Sequence, residues 1–206
     1  MSTTLSPTQA LVIGRLSYAD IFTPKEFKKG DGKPRYKTLV LIPKNTEQGR
    51  ADFAAIQRAS AAAKEEKWGN KIPKITSDKL CLTDGDGEKG TEDTKGHWIL
   101  SASETEAPQV LDRDGVTELS ERDGKIYSGC FARVLVNLWG QDNDWGVRVN
   151  ANLQAVQHVA HGPAFGRGRV SAREVFGSLE DVELGDIGGI SGSAASDDDD
   201  AGAALI

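Results

Sequence analysis

Two neighbouring stretches of alternating apolar and polar residues restrict the fold of this chain more than any other feature. They run from Ile126 to Leu138 and from Trp145 to Gln157. Because successive side chains of a strand point to opposite faces, this alternation predicts two long strands, each with one face against a core. The apolar face of the first strand comprises Cys130, Ala132, Val134, Val136 and Leu138. The apolar face of the second comprises Trp145, Val147, Val149, Ala151, Leu153 and Ala155.

The register of this pair is restricted, because both apolar faces must meet the same core. Pairing Trp139 with Trp145 would bring Val136 to the side of Arg148. A slip of one residue inverts a strand, so we predict that Leu138 pairs with Trp145, or that a bulge has the same effect. The predicted outer face then holds Tyr127, Phe131, Arg133, Asn137, Arg148, Asn150 and Asn152.

The rest of the chain predicts shorter strands and one helix. Strands are predicted at Leu11–Tyr18, Thr38–Ile42, His97–Ser103 and Pro108–Asp112, with a loop over Phe22–Lys37. The Ala-rich segment Gln48–Trp68 predicts a helix, since Phe53, Ile56 and Ala63 recur near helical spacing and Gly69 follows as a stop signal. Five or more strands with one helix favour a small barrel over a doubly wound sheet, and the pattern leaves other α+β folds open.

The net charge of −6 is distributed unevenly. Residues 177–206 contain eight acidic residues and no Lys or Arg, which leaves 25 basic and 23 acidic residues in 1–176. The Gly, Ser, Ala and Asp content of 177–206 cannot bury enough apolar surface to fold. We therefore predict one domain over 1–176, slightly basic, and a disordered acidic tail over 177–206.

The predicted outer face mixes aromatic rings, arginines and amides. Proteins that bind single-stranded nucleic acid without regard to sequence use this mixture, because bases stack on rings while cations and amides contact phosphates and base edges. The candidate residues on this face are Tyr127, Phe131, Arg133, Asn137, Arg148 and Asn150. The alternative is that Tyr127 and Phe131 pack beneath the helix or the loops.

Two further segments carry positive charge. The loop from Lys25 to Lys37 holds six basic residues and two aromatic ones, and its candidate phosphate-binding residues are Lys25, Lys28, Lys29, Lys33, Arg35, Tyr36 and Lys37. The Gly/Arg-rich segment 162–169 adds Arg167 and Arg169. An ordinary solvated loop and a plain turn are the alternatives.

The tail ends in a distinctive pattern. The run Asp197, Asp198, Asp199 and Asp200 precedes an apolar tip at Leu205 and Ile206. An acidic segment with an apolar end is typical of a docking peptide, and its charge would compete with nucleic acid for the basic face. The alternative is a solvating tail with an incidental end.

Motifs for catalysis, metals and membranes are incomplete or absent in the sequence. The stretch Asp84–Glu88 resembles a calcium loop, but Lys89 stands where that loop requires glycine. Cys81 and Cys130 do not cluster with the histidines, so we expect buried thiols, no metal and no cofactor. No apolar run approaches the roughly 20 residues of a membrane span, so we expect a cytosolic protein. A metal-dependent nuclease or resolvase and an acidic assembly protein remain as alternatives, and the oligomeric state, including a homodimer, stays open.

Several ordered segments together resemble a family of bacteriophage single-stranded DNA-binding proteins with an OB fold. They are Tyr36–Lys44, the Ala-rich helix, Tyr127–Arg133, Asn152–Gln157 and Phe165–Arg169, within a similarity over roughly residues 8–177. The resemblance implies a mostly β, OB-like Greek-key barrel with one inserted α-helix, in a non-enzymatic protein. It also implies protection of single strands in phage replication and recombination, in the cytoplasm of the infected host, and a tail that recruits replication proteins. Bacterial relatives end in Pro-Phe, whereas this tail ends in Leu205-Ile206.

Overall fold

The computed structural model describes residues 4–26, 32–87, 90–144 and 146–165. Its strands are β1 (Gln9–Lys25), β2 (Arg35–Pro43), β3 (Leu82–Asp84), β4 (His97–Glu104), β5 (Gln109–Leu111), β6 (Phe131–Asn143) and β7 (Gly146–Ala160). One α-helix, α1 (Glu47–Trp68), lies between β2 and β3 in the chain. Within the described ranges, no helix is both long enough and apolar enough to cross a bilayer.

The strands form a single sheet in the order β3-β4-β2-β1-β6-β7-β5, and this order is open. The predicted fold class, mostly β and OB-like with one inserted helix, is confirmed. One apolar core joins the inner faces of the strands to the helix. Its largest fully buried side chains are Leu16, Ile21, Leu41, Ile42, Ile56, Leu100, Leu138 and Leu153. Both cysteines are free and buried, as predicted, and burial raises the pKa of the Cys81 thiol to about 11.

The predicted helix is confirmed to within one residue. Thr46 caps its start, because the Thr46 hydroxyl accepts a hydrogen bond from the Gly49 N–H at 3.0 Å. The Asp52 side chain, only 3% exposed, accepts from the Ile13 backbone N–H at 2.9 Å. A helix carboxylate therefore binds a β1 amide just beyond the end of the β1–β2 pairing, at Arg15 and Leu41.

The hairpin of β6 and β7 corrects the predicted register. Leu138 pairs with Ala151, not with Trp145, because β6 continues to Asn143 before the turn. The predicted faces are nevertheless correct in this half of the hairpin. Ala151 lies six residues after Trp145, and a shift by an even number of residues keeps each side chain on the same face. Trp145 itself lies outside the described residues.

A bulge at Gln154 of β7, opposite Leu135 and Val136, then changes the face that β7 presents to the core. Beyond it, Val156 and His158 are buried, whereas simple alternation predicts Ala155 on that face. The predicted apolar face of β7 is therefore correct from Val149 to Leu153 and wrong at Ala155. Alternation alone carries no signal for a bulge.

The strand boundaries differ from prediction at two places. β1 extends seven residues beyond Tyr18, so the Phe22–Lys37 loop is shorter than predicted at both ends. The strand predicted from Ile126 begins at Phe131, so Tyr127 is not a strand residue. Gly129 explains the second difference: its φ is 122°, and a Cβ there would lie 2.3 Å from the Pro163 carbonyl oxygen.

Cys81 joins the two sides of the curved sheet. Its N–H donates to the Val149 carbonyl of β7 at 2.8 Å, and its carbonyl accepts from the Ser101 N–H of β4 at 2.8 Å. The seam, defined as the Leu80–Cys81 link between β4 and β7, brings the outer faces of these strands next to each other.

Candidate nucleic-acid interface

The outer face of the β6–β7 hairpin carries a ladder of polar and aromatic pairs. Asn137 pairs with Asn152, Trp139 with Asn150 and Gln141 with Arg148. The Trp139 indole N–H donates to Asn152 Oδ1 at 2.6 Å, while 38% of the residue stays exposed. The hydrogen bond fixes one edge of the ring and leaves surface available for another planar group.

A cleft of about 610 Å³ opens along this ladder, at the seam. The hairpin supplies one wall, β4 and the start of β2 supply the other, and the segment before β3 forms the floor. The side chains that characterise the cleft are Trp139, Gln141, Arg148, Asn150 and Asn152 on one side and Arg35, Ser101 and Ser103 on the other.

Arg148 is a positively charged residue that lines the cleft. Its Nε is buried and, among the described residues, has no hydrogen-bond partner. A buried guanidinium N–H without a partner is costly, because it has lost water and gained no acceptor. The Arg148 side chain also lines the cleft, so its guanidinium suits an anionic group that enters there.

A second group, the Phe131 patch, lies at the other end of β6 and comprises Phe131 and Arg133. Phe131 is 39% exposed, and Arg133 is exposed on the same face. Trp139 lies eight positions after Phe131 in β6. At the usual strand rise, the distance between these two residues along the strand is about 27 Å. The predicted outer face is thus divided into two regions along one strand.

The chain is similar to known phage proteins over most of its length. The family described as the single-stranded DNA-binding protein of Enterobacter phage Enc34 matches residues 10–186. A putative protein p50 of Acyrthosiphon pisum secondary endosymbiont phage 1 is 37% identical over 179 residues, which is 82% of this chain and 92% of that protein. The chain belongs to the Enc34 single-stranded DNA-binding protein family. This family is a class of binding proteins rather than enzymes, which confirms the prediction of a non-enzymatic chain.

Solved structures agree with this family assignment. The single-stranded DNA-binding protein from bacteriophage Enc34 in complex with ssDNA has a TM-score of 0.68 and 26% identity, covering 80% of this chain and 97% of that chain. Gp2.5, a single-stranded DNA-binding protein encoded by bacteriophage T7, has a TM-score of 0.50 and 19% identity, covering 91% and 100% of the two chains. At 19% identity the similarity to gp2.5 is one of fold.

Tyr127 does not belong to the exposed face of this family member. Its hydroxyl donates to the Gly162 carbonyl at 2.9 Å and accepts from the Gly162 N–H at 3.2 Å. Its ring stacks on His161 with centroids 5.9 Å apart and packs against the core. The alternative of a packed aromatic is correct for Tyr127, whereas Phe131 remains substantially exposed.

The basic segments are only partly described. Lys25, Arg35, Tyr36 and Lys37 lie in β1 and β2, where Lys25 forms an ion pair with Asp20, and Lys33 is exposed just before β2. The predicted residues outside the described part are Lys28, Lys29, Arg167, Arg169, Asp197, Asp198, Asp199, Asp200, Leu205 and Ile206.

The acidic loop that resembles a calcium site is occupied by a lysine. Lys44 Nζ lies 2.6 Å from Asp86 Oδ2 and also contacts Asp84. The hydrogen bond from Lys44 lowers the pKa of Asp84, and the Gly96 N–H, followed by Lys44, lowers that of Asp86. Over the described residues, no group of three or more His, Cys, Asp or Glu side chains is arranged to hold a metal.

Some cleft residues were not predicted. Alternation in β4 places Ser101 and Ser103 on the outer face, but nothing in the sequence indicates that β4 meets β7 across the seam. Trp98 lies away from the cleft and stacks on Phe53 of α1 with ring centroids 4.4 Å apart. Trp139 lines the cleft.

Proposed function

We propose that this chain binds single-stranded DNA largely without regard to sequence, with the cleft as its central contact. The observation that carries the proposal is that a partly exposed Trp139 and the cation of Arg148 line the same cleft. The family to which the chain belongs, and the DNA complex of the Enc34 protein, support the same function.

Each part of the cleft has a physical role in this proposal. A base stacks on the Trp139 ring, whose edge is fixed by Asn152, so that little side-chain freedom is lost on binding. A phosphate oxygen accepts from the Arg148 guanidinium, which lines the cleft. The amides of Asn150 and Gln141 bond to each other at 2.9 Å and present their remaining polar atoms to the strand.

The strand then continues along β6 to the Phe131 patch. The roughly 27 Å between Trp139 and Phe131 is spanned by several nucleotides, within the 4–16 nucleotides typical of one OB fold. Arg133 on that patch, and the basic segments Lys25–Lys37 and 162–169, supply further phosphate contacts.

The family to which the chain belongs supports a proposal for its biological setting. We infer that the chain covers single strands during phage DNA replication and recombination, in the cytoplasm of the infected host. The domain over 1–176 binds DNA, while the acidic tail over 177–206 competes with DNA for the basic surface and recruits replication proteins through Leu205 and Ile206. The charge division between the two parts supports this arrangement.

The test is a fluorescence anisotropy titration of labelled oligo-dT in EDTA at several salt concentrations. We expect tight binding that weakens steeply with salt. Arg148→Ala should lower the affinity several-fold and reduce the slope of log K against log salt by about 0.7, the value for one phosphate contact on a single strand.

Arg58→Ala is the matched control, because Arg58 is an exposed arginine on α1. It should leave both affinity and slope unchanged. Failure of the wild-type chain to bind at low salt would refute the function and favour an assembly protein. If the two arginine variants lowered the affinity equally, the role of the cleft would be refuted, but DNA binding by the chain would not.

A further inference from the structure

β1 contains a strained, exposed aromatic residue that the proposed interface does not use. Tyr18 has a φ of 50° and, among the described residues, is the one non-glycine with a positive φ. It is also 69% exposed. A bulky side chain in the left-handed region is a genuine outlier, and such strain concentrates at functional sites.

A bulge in β1 accounts for the position of Tyr18. Ser17 pairs with Leu39 and Asp20 with Lys37, so β1 has one more residue than β2 over this interval. Leu16 and Ile21 are both buried although they are five positions apart, which strict alternation forbids. The extra residue restores the inner face for Ile21 and turns Tyr18 outward.

The flanks of the bulge are held on both sides. The Ala19 N–H donates to Ser128 Oγ at 3.0 Å, and the Ser17 carbonyl accepts from the Thr38 hydroxyl at 3.3 Å. The Gly129 N–H donates to the Leu16 carbonyl at 2.8 Å. These contacts fix the backbone around Tyr18, so its ring projects from a rigid base.

The bulge that contains Tyr18 lies between β2 and the segment around Ser128. On the β2 side the bulge faces Lys37, the end of the basic segment, and Lys37 pairs with Ser103 of the cleft. On the other side, the Ser128 carbonyl accepts from the Phe165 N–H at 2.8 Å. Arg15 holds that segment too, with its guanidinium 3.8 Å from the centre of the Phe165 ring.

We propose that Tyr18 is a base-stacking residue, which extends the DNA contact from the cleft across β4 and β2 to the bulge. This inference rests on the proposed function. An exposed ring on a rigid backbone, beside Lys37 of β2, loses little freedom when a base stacks on it. The strained backbone is retained because it presents the ring to the strand.

The test compares Tyr18→Asn and Tyr18→Phe in the oligo-dT titration. Asn tolerates the left-handed region, so Tyr18→Asn removes the ring while relieving strain, and its thermal midpoint should equal or exceed that of the wild type. Its affinity should fall about five-fold or more, whereas Tyr18→Phe should bind like the wild type. Val116→Asn, which introduces the same residue at a position that is 81% exposed, in the bend after β5, is the control and should bind normally.

The outcomes separate this inference from the function on which it rests. Wild-type chain that does not bind oligo-dT overturns both. Wild-type binding with an unchanged Tyr18→Asn affinity overturns the role of Tyr18 alone. A loss in Tyr18→Phe as large as that in Tyr18→Asn overturns stacking, since the ring is still present. Changed self-association of Tyr18→Asn at constant DNA affinity, measured by sedimentation, assigns the ring to a protein contact and also overturns the proposal.

Discussion

The contact between Asp52 and the Ile13 amide should make a measurable contribution to stability. Asp52→Ala removes a hydrogen bond from a backbone N–H to a charged acceptor, which contributes about 1.5–3 kcal/mol. Relief of the cost of burying the carboxylate offsets part of this loss. The bond from Gln48 to Asp52 adds little, because Gln48 is exposed and its amide can return to water. We expect the free energy of unfolding to fall by about 2 kcal/mol.

Thermal and urea unfolding followed by circular dichroism measure this loss. For a domain of this size, about 2 kcal/mol corresponds to a decrease in Tm of about 4–8 °C. Asp52→Asn keeps an oxygen acceptor for Ile13 and should lose less than half as much. Glu65→Ala, at an exposed position of the same helix, is the control for general effects on helix stability. An Asp52→Ala protein within about 0.5 kcal/mol of the wild type, the range of ordinary surface substitutions, would refute the argument.

Two other predictions concern the tail and pH. Deleting residues 177–206 removes eight acidic residues and should tighten oligo-dT binding at low salt; equal affinities of the full-length and shortened chains would contradict competition by the tail. Burial lowers the pKa of His158 below its ordinary 6.5, so the unfolded state takes up the proton first, and stability should fall as the pH drops below about 6.5. In urea unfolding at pH 7.5, 6.5 and 5.5, His158→Gln should flatten this decline, and an unchanged slope would show that another group causes it.

The parts of the fold that follow from local pattern could be predicted from the sequence. The helix is predictable because its alanine content and the spacing of its apolar residues are properties of one continuous segment. The buried face of β6 from Ala132 to Leu138 follows from simple alternation. The outward placement of Trp139, Arg148 and Asn150 follows from the same alternation, once both apolar faces are required to meet one core.

The remaining features depend on contacts between distant residues. The bulges at Tyr18 of β1 and Gln154 of β7 insert single residues that no periodic pattern reveals, and each changes which side chains reach the core. Alternation predicts Tyr127 on the exposed face, because it starts the strand at Ile126 rather than at Phe131. Tyr127 lies outside the strand because Gly129 meets Pro163, which is more than thirty residues away. The cleft needs β4 beside β7, a neighbourhood made by Cys81 that spacing cannot indicate.

The seam has a mechanical consequence for the cleft above it. β6 and β7 are paired from Phe131 to Asn143, with two register shifts, whereas the hydrogen-bonded link between β4 and β7, within the described residues, passes through Leu80 and Cys81. Local opening has the lowest cost where the fewest backbone bonds must break. We therefore expect the curved sheet to open most readily beneath the cleft, between β4 and β7, before the pairing that holds Trp139 and Arg148 is disturbed.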